Sequence, residues 1–460
     1  LILLAGVAYL LRSWERIVAF VAAGYCLGWA VLLWFADVSM PVWTPPLVNW
    51  PIDLTAPVAY FDFTFELTAV VAPAIALALA IGAAGCLLSA RVSQGRAFVP
   101  LTLALVAGYT LLFLLADGPV PPVLLAPLLL AALSALAVFL VQAGRVGNPA
   151  GALRMLAPPV LAFPIVLVAA WYVHAAFLDP QNAMMPRIAA QFMALGYVIL
   201  LAPTPLHGSQ PATAQSAPPV VAAVVGLLYQ LAALFLLFQM LAEFPYVAQE
   251  APLALWLDWA GLLTALWGGV AAFGTLHAGR LWGYSALHDW GVILMVLAVA
   301  GTRGLPLALF LFSLRAISML TAAAGLSVLE AHVGGLGASQ LQGAGNRLPW
   351  NSAVFLLGGL GLAGFPLSAG FTGHWAALQI IAENDWRPAA VVLVASAGAI
   401  FSYIRLARVL FGPLDNRSLL RERALSATVA AAILLFSIGL ALAPQLLDGP
   451  VSRMLTAFSG

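Results

Sequence analysis

Four side chains in a strongly apolar sequence stand where they could hold or move a proton: His374, Asp289, Arg315 and His207. His374 closes the run Gly358 to Trp375, which is long enough to cross a bilayer but carries Pro366 between Gly364 and Gly370. Pro366 has no amide to donate and crowds the carbonyl four residues back, and glycines lower the cost of unwinding. The helix is therefore expected to open near Phe365 and Pro366. Opened backbone within hydrocarbon must line a cavity or be covered by protein. His374 then sits about two turns past the break. Histidine, with an ordinary pKa of about 6.5, suits proton uptake and release near neutrality. Asp289 and Arg315 each interrupt an apolar run. A lone charge there costs on the order of several kcal/mol, so the two are expected to pair across adjacent helices. His207 follows a second break, Ala202-Pro203-Thr204-Pro205-Leu206-His207, in which Pro203 and Pro205 interrupt the helix.

Each of these residues also has a plainer reading. His374 as a neutral imidazole can bond a carbonyl freed by the break, and His207 can cap free carbonyls at its own break. Asp289 with Arg315 can be a structural pair, because arginine does not release its proton. His288 is expected to point elsewhere on its helix as an interfacial residue, and His174, His277 and His332 to be solvated at helix ends. Gly359-Leu-Gly-Leu-Ala-Gly364 has the spacing of a dinucleotide fingerprint. That fingerprint needs a strand, a tight turn and an exposed helix start, so in an apolar run it is read as close helix packing and no nucleotide is expected. Cys26 and Cys86 lie in separate apolar runs and frame neither a disulfide nor a metal cluster. No serine nucleophile with partners and no phosphate loop is found, so no covalent chemistry and no metal or cofactor is expected in this chain.

The elements that must position these groups are membrane helices. With 63% hydrophobic and 8% charged residues and a mean hydropathy of +1.04, the chain has more apolar surface than a soluble domain could bury. The net charge of +1 points to no partner, and no basic tract suggests nucleic acid. Apolar runs of roughly 20 residues predict helices at 1–11, 17–36, 66–90, 97–116, 122–143, 155–178, 188–206, 218–242, 252–274, 283–301, 304–330, 351–381, 388–411 and 425–444, about fourteen in all. The first is read as a clipped transmembrane helix and not a signal peptide, since no charged region precedes it. Residues 37–65, rich in Pro, Trp and Thr, are expected to form a short hairpin on the membrane surface. Trp43, Trp50, Trp256 and Trp375 read as interfacial anchors or packing.

All 18 basic residues are arginine. Sorted by loop, Arg12, Arg16, Arg91, Arg96, Arg145, Arg154, Arg280, Arg347, Arg405, Arg408, Arg417, Arg421 and Arg423 share one side, with Arg187, Arg303, Arg387 and Arg453 on the other. The excess marks the cytoplasmic side and puts both termini outside. Two interrupted helices in corresponding halves point to inverted repeats. The expected division is N-terminal helices and an outside loop at 1–96, five-helix repeats at 97–242 and 252–411, and a cytoplasmic loop with a last helix at 412–460.

At residues 362–375 (Leu-Ala-Gly-Phe-Pro-Leu-Ser-Ala-Gly-Phe-Thr-Gly-His-Trp), 205–208 with Ala217-Pro218, 281–291 (Leu-Trp-Gly-Tyr-Ser-Ala-Leu-His-Asp-Trp-Gly) and 403–412, the chain resembles a known family. It is the family of antiporter-like membrane subunits shared by respiratory complex I (NADH:quinone oxidoreductase), related membrane hydrogenases and Mrp-type sodium/proton antiporters. The resemblance covers roughly residues 60–411. It implies an all-helical fold of two inverted repeats and a midplane proton path of lysines, glutamate and histidines. It also implies neighbouring membrane subunits, with quinone, flavin and iron-sulfur clusters only in partner subunits, and a bacterial inner membrane.

The sequence departs from the family pattern at the carriers. By placement from the motifs, one family lysine falls at Leu200, the next at or beside Gln230, and the early glutamate near Pro127. A family histidine falls at Asp289, and the lysine after the second break falls at His374. Buried lysine can release a proton near neutral pH and arginine cannot, so the first half reads as stripped of carriers while the second keeps charges. Three functions remain open on the sequence. They are a shortened working proton path centred on His374, a non-conducting structural paralogue, and a membrane partner in an Mrp-type antiporter or bicarbonate uptake complex.

Overall fold

Apolar runs of about twenty residues leave the backbone one solution in hydrocarbon, which is to satisfy its own hydrogen bonds as helix. A computed structural model of the chain describes residues 1–35, 53, 55–69, 71–142, 148–179, 181–299, 304–413, 421–449 and 452. Trp43, Trp50, Arg145, Arg303, Arg417 and Arg453 lie outside them. The main helices are α1 (Ile2–Leu10), α2 (Glu15–Phe35), α3 (Val71–Arg91), α4 (Phe98–Leu114), α5 (Pro122–Gln142), α6 (Ala157–Leu178), α7 (Met184–Leu200), α8 (Ser209–Ser216), α9 (Pro219–Glu243), α10 (Leu253–Phe273), α11 (Ala278–Ala298), α12 (Gly304–Val333), α13 (Pro349–Leu362), α14 (Phe371–Asn384), α15 (Trp386–Leu410) and α16 (Ala424–Leu442). Among the described residues, ten helices are long and apolar enough to cross a membrane, and α4 and α7 are shorter apolar helices.

Each segment expected to span contains a helix, and the boundaries moved for physical reasons. The segment 351–381 is two helices, α13 and α14, because Pro366 and its glycines lie between them. Helix α11 starts at Ala278, five residues earlier than expected, because His277 caps it through a bond from the Arg280 amide to Nδ1 at 3.3 Å. Helix α3 starts at Val71, after a hairpin of β1 (Val58–Tyr60) and β2 (Phe63–Phe65) at the end of the segment 37–65 where one was expected; residues 37–52 and 54 of that segment lie outside the described residues. A third strand, β3 (Leu115–Asp117), adds antiparallel to β2 and ends α4 at Leu114.

Helices α9 and α11 are buried on nearly every face, whereas α6 and α16 expose most of theirs. Small residues allow this concentration. A Cβ at Gly291 would fall on the backbone of Ala265, and one at Gly268 on the backbone of His288, so α10 and α11 touch main chain to main chain. The first turn of α13 is held by Glu422, which accepts from the amides of Trp350 (3.1 Å) and Asn351 (3.2 Å). Arg91 at the end of α3 donates to Asn351 Oδ1 at 2.7 Å and Ser426 Oγ at 2.8 Å, tying α3, α13 and α16 together.

Because Gly291 has no room for a methyl group, Gly291→Ala is expected to destabilise the protein by about 1–3 kcal/mol through overpacking. Thermal unfolding of the detergent-solubilised protein reads this as a lowered midpoint. Gly439→Ala, with open space around its Cβ, is expected to leave the midpoint unchanged or raise it.

Candidate functional site

Both breaks form where the sequence removes the helical option, and each disposes of its freed backbone groups differently. After α13 the chain turns through Gly364 at φ +69° and Leu367 at φ +69°. The Phe365 amide donates back to the Leu360 carbonyl at 3.1 Å, and the Ser368 amide to that of Phe365 at 3.1 Å, before α14 starts at Phe371. After α7 the chain turns through Ala202 at φ +51° and a cis Thr204–Pro205 bond. There the neighbouring helices supply the partners. Tyr229 donates its hydroxyl to the Leu200 carbonyl at 2.8 Å, and Trp290 its indole N–H to that of Leu201 at 2.8 Å. The Thr204 amide donates to Thr264 Oγ1 at 2.9 Å.

Between the breaks lies a line of polar side chains contributed by five helices. Arg315 on α12 donates from Nη1 to Asp289 Oδ2 on α11 at 2.7 Å and to the Ala286 carbonyl at 2.5 Å. Its Nε donates to Gln230 Oε1 on α9 at 3.0 Å, and Gln230 Nε2 donates to Gln210 Oε1 on α8 at 3.2 Å. The guanidinium also lies 5.6 Å from the centre of the Trp290 ring. On the other side of Asp289, Oδ1 faces His374 Nε2 at 3.5 Å, and His374 Nδ1 lies 3.1 Å from the Gly370 carbonyl. Asp289, Arg315 and His374 are each at most 3% exposed, so the ion pair is fully withdrawn from solvent.

The chemistry follows from the donor inventory. With Nδ1–H given to the Gly370 carbonyl, a neutral His374 presents the lone pair of Nε2 to Asp289. At 3.5 Å that is longer than a hydrogen bond. A proton taken up on Nε2 would sit between the ring and a carboxylate oxygen and turn the contact into a charge-assisted bond. The plainer reading of His374, bonding to a broken-helix carbonyl, thus coexists with the sharper one at separate ring nitrogens.

His288 corrects an expectation. It is fully buried, its Nδ1 2.8 Å from the Ala265 carbonyl on α10 and its Nε2 2.8 Å from Ser396 Oγ on α15, with its ring stacked 6.1 Å from that of His374. It is not interfacial, because α11 is enclosed on all sides and a residue turned away from Arg315 meets α10 and α15. A sequence signal for it existed in Ser396, a lone hydroxyl within an apolar run. His207 stays out of the line. It is half-buried on the turn Leu206–Gly208 with its ring edge-on to Trp267 at 6.0 Å, bordering a cavity shared with Gln210 and Gln230. Leu200 and Pro127 are buried among apolar side chains. His174 is exposed, His332 bonds the Val328 carbonyl at 2.8 Å, and His277 is half-buried. Burial and the Arg280 charge push the His277 pKa below its ordinary value.

Taken together, the class is a nearly all-helical membrane protein with two interrupted helices flanking a buried charged line. The chain belongs to the family described as NADH:quinone oxidoreductase/Mrp antiporter, TM, whose model matches residues 167–401, just over half of its length. Among curated relatives, NADH-quinone oxidoreductase subunit N of Parafrankia sp. (strain EAN1pec) is 30% identical over 236 residues, covering 50% of this chain and 44% of that protein. The matched stretch spans about half the length of such relatives. The fold is shared with a chain of the Mrp complex from Dietzia sp. DQ12-45-1b, at a TM-score of 0.78 and 18% identity over 99% of this chain and 95% of that one. It is shared likewise with a chain of respiratory complex I from Thermus thermophilus with bound NADH, at 0.74 and 18% over 100% and 99%.

Three outcomes follow from this geometry. Asp289→Asn leaves the guanidinium buried without a counter-charge and is expected to cost about 3–5 kcal/mol, most of it recovered in Asp289→Asn/Arg315→Gln; thermal unfolding of the single and double variants checks this. Gly364→Ala sets a Cβ 2.7 Å from the His374 ring in a left-handed conformation that costs a side chain about 1–2 kcal/mol, and should lower the same midpoint. The cap at His277 needs a neutral ring, and its folded pKa is the lower one. Its stabilisation is therefore complete above the ordinary histidine range and is lost as pH falls below it, read by amide exchange in the first turn of α11.

Proposed function

We propose that this chain is an antiporter-like membrane subunit of a complex I-like, NADH:quinone oxidoreductase-type assembly, in which it contributes to proton translocation through its second half. The observation that carries the reading is the buried contact of His374 Nε2 with Asp289 Oδ1 at 3.5 Å, beside the 2.7 Å pair of Asp289 with Arg315. Family membership and the names of the curated relatives support the type of assembly. In this reading residues 97–242 and 252–411 are inverted repeats around the two breaks. The arginine-rich loops face the cytoplasm of a bacterial inner membrane, with both termini outside. Quinone, flavin and iron-sulfur clusters belong to partner subunits.

The proton-handling step assigned to this chain is local. His374 holds a proton at Nε2 against Oδ1 of Asp289, whose Oδ2 is bound by Arg315. The half-channel ahead of Gln230 is degenerate, because Leu200 and Gln230 cannot titrate. That same observation favours a second reading, a subunit that braces its neighbours without conducting.

Proton translocation by the intact assembly in sealed vesicles separates the two, comparing the native chain with His374→Ala and Asp289→Asn at matched assembly levels. Translocation through this site predicts fewer protons moved per turnover in both variants. Unchanged stoichiometry with normal assembly would leave the bracing role.

A further inference from the structure

The line of side chains is asymmetric about Arg315. On one side lie Asp289 and His374, and on the other Gln230, Gln210 and a cavity of ≈ 40 Å³, room for a few waters, among α8, α9 and α11. Several polar atoms of residues lining that cavity have no hydrogen-bond partner among the described residues: Trp282 Nε1, Thr213 Oγ1, Gln210 Nε2 and His207 Nδ1. Trp282 is 1% exposed and Thr213 4%, so bulk solvent does not serve them. Water requires two to four polar partners in a roomy polar site, and this cavity offers both. The inner wall ends on Gln230, whose Oε1 is taken by Arg315 Nε at 3.0 Å.

A proton in that water meets one titratable side chain on the cavity wall, His207, and has no way on to Asp289 except past Arg315. Gln210 and Gln230 do not titrate, and a guanidinium carries five donors and no acceptor and does not deprotonate in proteins. The charge also repels an approaching cation, strongly so where the surroundings are of low dielectric. Every group facing the guanidinium agrees with this role. Ala286 offers a carbonyl, Trp290 a ring face, Gln230 a neutral amide, and Asp289 one oxygen already bound, the other turned towards His374. An internal arginine that lets water stand beside it while excluding protons is a known use of this side chain in membrane pores.

We propose that Arg315 is a proton barrier: the cavity beside Gln230 admits water, and the guanidinium between Gln230 and Asp289 prevents protons in that water from reaching Asp289 and His374. The inference rests on reading the second half as the proton-bearing part, and it makes the first half proton-tight by construction. Protons then reach His374 only from its own side.

The test uses the full-length protein reconstituted in sealed vesicles with a trapped pH dye, under an imposed membrane potential and without turnover. The native protein is expected to be tight. Arg315→Gln and the charge-neutral Arg315→Gln/Asp289→Asn are expected to raise proton influx about tenfold, the change that roughly 1.4 kcal/mol of lost barrier gives, while retention of sodium is unchanged. Folded variants as tight as the native protein overturn the barrier, and so does an equal rise in sodium leak, which marks loosened packing. Hydroxyl-radical labelling of the native protein decides independently of any variant's folding. Met319 and Trp282, which line the cavity, are expected to oxidise several-fold faster than the equally buried Met193, Met295 and Trp290. Equal rates would mean a dry cavity with nothing to seal and overturn the proposal. A null result for His374→Ala in coupled translocation concerns the proposed function; a tight Arg315→Gln concerns the barrier alone.

Discussion

A fully buried guanidinium within an apolar helical bundle is the constraint to which the centre of this protein answers. Arg315 is 1% exposed, and an uncompensated charge at such a position would be too costly to keep. Its neutralisation brings α9, α11 and α12 to fixed positions around one side chain, through Gln230, the Ala286 carbonyl and Asp289. His374 is then placed by Asp289 from the opposite side. The buried pair adds little net stability by itself, but it permits one arrangement of these helices and penalises others.

The two broken helices serve that centre in different ways. The second break satisfies its own backbone within a few residues and delivers His374 at the start of α14. The first break depends on neighbours, and one of them, Trp290, also faces Arg315. A single indole therefore links the Leu201 carbonyl to the charged pair. The breaks are coupled through packed side chains of α9 and α11, the most enclosed helices of the bundle.

The family supplies a frame within which the substitutions become informative. By placement from the motifs, Leu200 and Gln230 stand at family lysine positions in one half, and Asp289 and His374 at a family histidine and lysine in the other, so ionisable side chains face Arg315 from the second half and the neutral Gln230 from the first. The rings of His288 and His374 are stacked at 6.1 Å on the Asp289 side of Arg315. His288 is engaged at both nitrogens by Ala265 and Ser396, which fixes its ring between α10 and α15.

Composition alone settled the membrane class and the helical content, because runs of about twenty apolar residues admit no other backbone solution in hydrocarbon. Proline chemistry located both breaks, and the cost of a lone charge was enough to expect the pairing of Asp289 with Arg315. The tertiary structure decided what periodicity cannot carry. It enclosed α11 on all sides, turning His288 from an expected interfacial residue into a buried one, and it brought Gln210 and Gln230 end to end on helices that share no sequence pattern. It also recruited Leu115–Asp117 into a sheet with a hairpin fifty residues earlier in the chain. Local rules see which groups must find partners; only the packing of distant helices determines which partners they find.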